Sequence, residues 1–95
     1  MERIHLYIEG LVQGVGFRYY TRAKAKEAGV FGWVKNLSDG RVEIVAEGEK
    51  ESIDKFMALL REGNLGTHID KAEKDEEPYT GHFRHFYISY NEYGK

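Results

Sequence analysis

The apolar residues of this chain change period in a fixed order, and that order limits the possible folds more than any single residue does. Ile4, Leu6 and Ile8 alternate with His5, Tyr7 and Glu9, the two-residue period of a strand with one buried face. Phe17, Tyr20, Thr21, Ala25 and Ala28 then fall at helical spacing, with Arg22, Lys24, Lys26 and Glu27 on the other face and Gly29 as the stop. Val30 to Leu37 and Arg41 to Glu47 read as a second and a third strand. Between them Ser38-Asp39-Gly40 is a turn of the kind that joins antiparallel neighbours. Ile53, Phe56, Met57 and Leu60 make the stripe of a second amphipathic helix, ended by Gly63. Beyond it the pattern weakens. His68 to Glu77 alternates poorly and is highly charged, which predicts an edge strand, and Glu73 to Glu77 reads as a solvated charge run. Phe86, Ile88 and Tyr90 alternate again in a final short strand.

Strand, helix, strand, strand, helix, strand is the split βαβ arrangement of ferredoxin-like α+β folds. The expectation is therefore a ferredoxin-like βαββαβ sandwich: an antiparallel sheet with two helices on one face and a short extra carboxy-terminal strand. At 95 residues the chain reads as a single domain, residues 1–95, and its 41% hydrophobic content can supply the one core such a domain needs. A right-handed crossover through the first helix makes the first two strands parallel and leaves room for the third, antiparallel, between them. Parallel strands end at the same edge of the sheet. Gly10 to Arg18, the loop and helix start after the first strand, are thereby brought beside Lys35 to Gly40 at the end of the second.

Composition removes several chemistries from that edge. Without cysteine there is no thiolate nucleophile, no disulfide and no cysteine-based zinc or iron-sulfur site. A net charge of -2 has the wrong sign for a domain held to DNA by phosphate neutralisation. RNA-recognition domains share this order of elements, but they stack bases on aromatics of the third strand, and here Arg41-Val42-Glu43-Ile44-Val45-Ala46-Glu47 has no aromatic and two glutamates. No nucleic-acid partner is expected. No apolar run is long enough to span a membrane, and Met1-Glu2-Arg3-Ile4-His5 has no apolar signal core, so the expectation is a cytoplasmic protein without a membrane partner. The two segments meeting at that edge, with the strand residue before the first, hold only Glu9 and Asp39 as carboxylates for a Mg²⁺ ion, and His5, His68, His82 and His85 lack ligand spacing and read as ordinary surface residues. No metal site is expected. Trp33 and the tyrosines read as sheet-packing residues.

The segment Gly10-Leu11-Val12-Gln13-Gly14-Val15-Gly16 is what the period arguments leave over. Amides at the start of a helix lack intrahelical partners and sit at the positive end of the helix dipole, so a loop-to-helix junction attracts anions. Glycines allow consecutive amides to form a concave nest. Here that places Gln13, Gly14, Val15, Gly16 and Phe17 as amide donors, with Arg18 adding a planar fork that matches phosphate oxygens. The spacing fits neither a P-loop nor a dinucleotide fingerprint. On these residues alone, the glycines could equally make a tight turn and Arg18 could be a solvated helix residue.

Gly10-Leu11-Val12-Gln13-Gly14-Val15-Gly16-Phe17-Arg18 closely resembles the amino-terminal signature of the acylphosphatase family. Gly32-Trp33-Val34-Lys35-Asn36-Leu37-Ser38-Asp39-Gly40-Arg41-Val42 resembles its second signature. With the second-helix pattern, the resemblance covers residues 3 to 90. It implies a ferredoxin-like sandwich that hydrolyses a carboxyl-phosphate anhydride to a carboxylate and inorganic phosphate, with no cofactor and no metal. The family's phosphate-binding arginine falls on Arg18 and its water-orienting asparagine on Asn36. The implied partners are a small-molecule acyl phosphate and inorganic phosphate as product and inhibitor, acting on a monomer. The family's inferred scheme passes the proton of the attacking water to the substrate's own phosphate.

The last third departs from the family. Gly63-Asn64-Leu65-Gly66-Thr67-His68-Ile69 lacks the usual proline pair and Ala-Arg-Val run, and the chain continues past Tyr90 through Asn91-Glu92-Tyr93-Gly94-Lys95. These differences put the edge-strand boundaries and any carboxy-terminal contact with Arg18 in question. The competing readings are a non-catalytic anion- or RNA-binding ferredoxin-like module, and a module of a larger carbamoyl-transfer enzyme. Asn36 argues against a mere anion sensor, which needs no residue to hold water.

Overall fold

Alternation along the first strand is met by burial: Ile4, Leu6 and Ile8 are at most 1% exposed, while the residues between them face the other side of the sheet. The structure is a computed structural model and describes residues 1–90. Its elements are β1 (Glu2–Gly10), α1 (Phe17–Ala28), β2 (Phe31–Asn36), β3 (Val42–Gly48), α2 (Lys50–Glu62), β4 (Ile69–Glu77) and β5 (Phe86–Ile88), with a 3-10 turn at Asn64–His68 before β4. The sheet order is β4-β1-β3-β2-β5. β3 lies between β1 and β2 and runs antiparallel to both, as the crossover argument requires.

The four-strand body is antiparallel throughout, but β5 pairs parallel to β2, so the sheet as a whole is mixed. The cause is the path of residues 78–85. β4 runs antiparallel to β1 and ends opposite Arg3, so the chain must cross the amino-terminal ends of the strands to reach the far edge, and from there β5 can only run with β2. The register is Gly32↔Phe86, Trp33↔Tyr87 and Val34↔Ile88, with Ser89 N–H donating to the Val34 carbonyl at 2.8 Å as the last rung. Tyr90, expected in this strand, lies beyond it.

Both helices cover one face. Phe17, Ala25, Ile53, Phe56 and Leu60 pack with Ile4, Leu6, Ile8, Val34, Val42, Ile44 and Ala46 in one core, each large side chain contributing roughly 1.5–3 kcal/mol by its burial. Phe86 joins that core against Phe56, ring centroids 6.0 Å apart, which ties β5 down. The buried Tyr20 hydroxyl donates to the Leu60 carbonyl at 2.6 Å, giving α1 a hold on a carbonyl that the end of α2 leaves without an intrahelical partner.

The other face is polar where the sequence predicted solvated surface. His5 is largely covered, one ring nitrogen against Glu77 and the other against Glu43, so the sequence reading of His5 as a surface histidine is corrected here. Glu73 to Glu76 are exposed as expected, while Glu77 turns inward to Arg3 and His5. Glu47, 2% exposed, accepts hydrogen bonds from the Thr80 N–H and hydroxyl, the Gly81 N–H and Arg3. It thereby pins the strap that delivers β5.

Burial pushes the Glu47 carboxyl up, but the bonds from Thr80, Arg3 and Gly81 outweigh it and hold it below the ordinary glutamate range. Glu77 is held low by Arg3 and then His5. A carboxylate with a depressed folded-state pKa contributes stability that is fully present above its unfolded value, about 4.3, and is lost as pH falls through the folded value. Urea midpoints are therefore expected to hold steady above about pH 5 and to decline on acidification. Glu47→Gln should be less stable at neutral pH and decline less steeply in acid; an acid slope equal to the wild type's would remove Glu47 from this account.

Candidate active site

β1 and β2 run parallel on either side of β3, and β5 runs parallel to β2. The carboxy-terminal ends of all three therefore share one edge of the sheet. That edge collects the glycine loop after β1, Asn36 as the last residue of β2, and Ser89 and Tyr90 just past β5.

The loop is fastened from both sides. The Gln13 side-chain amide donates to the Leu37 and Arg41 carbonyls, both at 2.8 Å, binding the loop to the turn after β2. On the opposite side Leu11 N–H donates to the His68 carbonyl at 3.1 Å, and His68 Nδ1 returns a bond to the Leu11 carbonyl at 3.0 Å. Between these staples Gly14 and Gly16 have φ of 77° and 81°, left-handed conformations in which a side chain is strained. Gly16 is the residue that opens α1, and it supplies no side-chain cap; the first turn also contains no acidic residue. The first amides of α1 thus start without intrahelical acceptors. Val15 packs partly against the core and Phe17 is 1% exposed, so the buried ring fixes the first turn while the next residue, Arg18, points to the sheet edge.

Arg18, Asn36, Ser89 and Tyr90 line a cavity of about 140 Å³. Arg18 is half-buried, and its guanidinium meets the Tyr90 ring 5.0 Å from the centroid but makes no hydrogen bond or ion pair among the described residues. The arginines of the open face differ: Arg3 is bonded to Glu47 and Glu77, and Arg41 to Asp39 at 2.8 Å. Asn36 Oδ1 is buried and has no hydrogen-bond partner among the described residues. A buried acceptor left without a donor costs about 1–3 kcal/mol. One cavity therefore holds a fork of donors and an acceptor that no described residue engages, a pair that a bound oxyanion and a water molecule can satisfy together.

Of the residues the sequence singled out, Arg18 and Asn36 meet in the cavity, and Gly14, Val15, Gly16 and Phe17 form the approach to α1. The side chain of Gln13 is spent on the two carbonyls, and Gln13 to Phe17 are not among the residues lining the cavity. Asp39 is committed to Arg41, whose backbone and side-chain hydrogen bonds hold its carboxyl below the ordinary range. Sequence reasoning missed Ser89 and Tyr90. The parallel direction of the last strand would have found them, since it alone puts its carboxy end beside Asn36. The sequence's question about a carboxy-terminal contact with Arg18 is answered at Tyr90 by a ring; residues 91–95 lie outside the described residues.

These features define a ferredoxin-like α+β protein with a polar cavity at the carboxy-terminal edge of its sheet. The chain belongs to the acylphosphatase family, whose sequence profile matches residues 4–88. The acylphosphatase of Acaryochloris marina is 51% identical over 81 residues, covering 85% of this chain and 86% of that one. The crystal structure of acylphosphatase from Bacillus subtilis superposes with a TM-score of 0.87 at 34% identity, covering 95% of this chain and all 100% of the other. The T. kodakarensis HypF structure matches with a TM-score of 0.81 at 39% identity, covering 94% of this chain but 12% of that much longer one. The protein is a hydrolase acting on acyl phosphates, and the nucleic-acid-binding alternative is not favoured.

Proposed function

We propose that the chain hydrolyses its acyl phosphate by a metal-free, in-line attack of water, with Arg18 and the amides of Gln13 to Phe17 holding the phosphoryl oxygens and Asn36 aiming the water. The observation that carries this reading is the coincidence in one cavity of two groups that no described residue satisfies, the Arg18 fork and Asn36 Oδ1. Charge builds on the three equatorial oxygens of a loose phosphoryl-transfer transition state, and prealigned donors stabilise it without reorganising. A planar guanidinium supplies paired donors there. Asn36 Oδ1 can only accept, so a water bound to it donates one hydrogen and keeps its lone pair for phosphorus. The water oxygen bonds to phosphorus, the bond from phosphorus to the acyl oxygen breaks, and its electron pair departs on the carboxylate. The proton passes to the phosphate.

A carboxylate leaving group has a conjugate acid of pKa about 4 and needs no general acid. Little nucleophilic push is required either, so a neutral amide suffices where other hydrolases place a base. Inorganic phosphate, which matches the same donors, is proposed as a competitive inhibitor. A monomer suffices, since one chain supplies the four lining residues of the cavity. A cytoplasmic location completes the reading: the chain has no cysteine and so none of the disulfides on which small secreted domains rely. No helix among the described residues is long and apolar enough to cross a membrane.

Hydrolysis of benzoyl phosphate is expected to proceed at the same rate with and without excess chelator. Loss of turnover on chelation, restored by a divalent cation, would reject the metal-free mechanism.

A further inference from the structure

The cavity opens onto a row of side chains that the handling of phosphate does not use. Tyr90, 69% exposed, sits against the Arg18 guanidinium, and its hydroxyl lies 3.4 Å from that of Tyr19. The Tyr19 ring in turn carries the Arg22 guanidinium 5.3 Å from its centroid. Arg18, Tyr90, Tyr19 and Arg22 thus form a continuous row that begins in the cavity and ends one helical turn further along α1. Like Arg18, Arg22 makes no hydrogen bond or ion pair among the described residues.

The row is locally cationic on a chain whose net charge is -2. The hydrogen bond shared with Tyr19 pushes the Tyr90 hydroxyl up, and the two arginines pull against it. With the phosphoryl group on Arg18 and water on Asn36, in-line geometry sends the acyl group out on the side away from the water. Tyr90 offers the aromatic surface of the described lining. Four helical residues advance about 6 Å, the length of a short acyl chain or of one aromatic ring, and this is the step from Arg18 to Arg22.

We propose that Tyr90, Tyr19 and Arg22 form an acyl-side subsite that selects acyl phosphates whose acyl group carries a second oxyanion. The acyl body lies along the exposed tyrosine surfaces, and the second oxyanion pairs with Arg22, whose fork matches it as Arg18 matches the phosphoryl group. This rests on the reading of Arg18 as the phosphoryl site.

The test compares kcat/KM for benzoyl phosphate with that for the monophosphate of benzene-1,3-dicarboxylic acid, which adds one carboxylate to the same ring. The wild type is expected to prefer the carboxylated substrate about tenfold, the order of one charge-assisted hydrogen bond. In Arg22→Gln the ratio should fall to about one, and Arg22→Lys should restore part of it, because charge survives while the fork does not. A wild-type ratio of one, or a preference that persists in Arg22→Gln, overturns the proposal. If the wild type hydrolyses neither substrate, the failure lies with the phosphoryl site instead.

Discussion

Asn36→Ala is expected to lower kcat about 100- to 1,000-fold, the usual loss when a group that orients or stabilises the reacting atoms is removed. Three parts of the structure make this the sharpest expectation. Asn36 ends β2, so the strand's pairing with β3 holds its backbone in place whatever its side chain. Its Oδ1 has no hydrogen-bond partner among the described residues, so truncation disconnects no network described there. It shares the cavity with Arg18 without contributing a positive charge, so phosphate should still bind. The wild-type side chain carries a cost in stability, because an unsatisfied buried acceptor disfavours the folded state. The alanine variant should accordingly unfold at a urea concentration no lower than the wild type's. Steady-state rates beside urea melts check both halves. A variant that is inactive and also clearly destabilised would show that Asn36 supports the fold rather than the water.

Arg18→Lys is expected to lower kcat/KM at least about 100-fold despite conserving the charge, since a point charge cannot replace paired, planar donors on phosphoryl oxygens. Arg18 makes no bond to any described carboxylate, so its loss strands no partner; what disappears is a donor set that Tyr90 holds by its ring and leaves free at its edge. Arg18→Ala should cost more, and both variants should raise the phosphate concentration needed for inhibition, which Asn36→Ala should not. Kinetics with phosphate as inhibitor separate the two residues. An Arg18→Lys enzyme with near-normal kcat/KM would mean that charge alone matters and that the fork is incidental.

Most of the scaffold was legible because each of its parts leaves a local mark. The alternation of Ile4, Leu6 and Ile8, the stripe of Ile53, Phe56, Met57 and Leu60, and the glycines around Gln13 each state a period or a backbone requirement directly. Adjacency of Arg18 and Asn36 followed from topology, since parallel strands must end together. The parts that escaped depend on partners distant in sequence. The ring of His5 meets Glu77 and Glu43, 72 and 38 residues away, and no local pattern distinguishes such a histidine from a solvated one. The three residues of β5 reveal a buried face but no direction; that is imposed by the strap of residues 78–85, which Glu47 pins. Ser89 and Tyr90 arrive at the cavity only because of that direction. The resemblance named Arg18 and Asn36, but their lack of partners, which is the physical reason to assign them chemistry, is a property of the folded chain.

The most direct test titrates inorganic phosphate calorimetrically into the wild type, Asn36→Ala and Arg18→Ala under one set of conditions. The account predicts near-equal affinity for the wild type and Asn36→Ala, with binding by Arg18→Ala weakened by at least about tenfold. Equal weakening in both variants, or undiminished binding by Arg18→Ala, would contradict a site in which one side chain grips the anion and the other only aims the water.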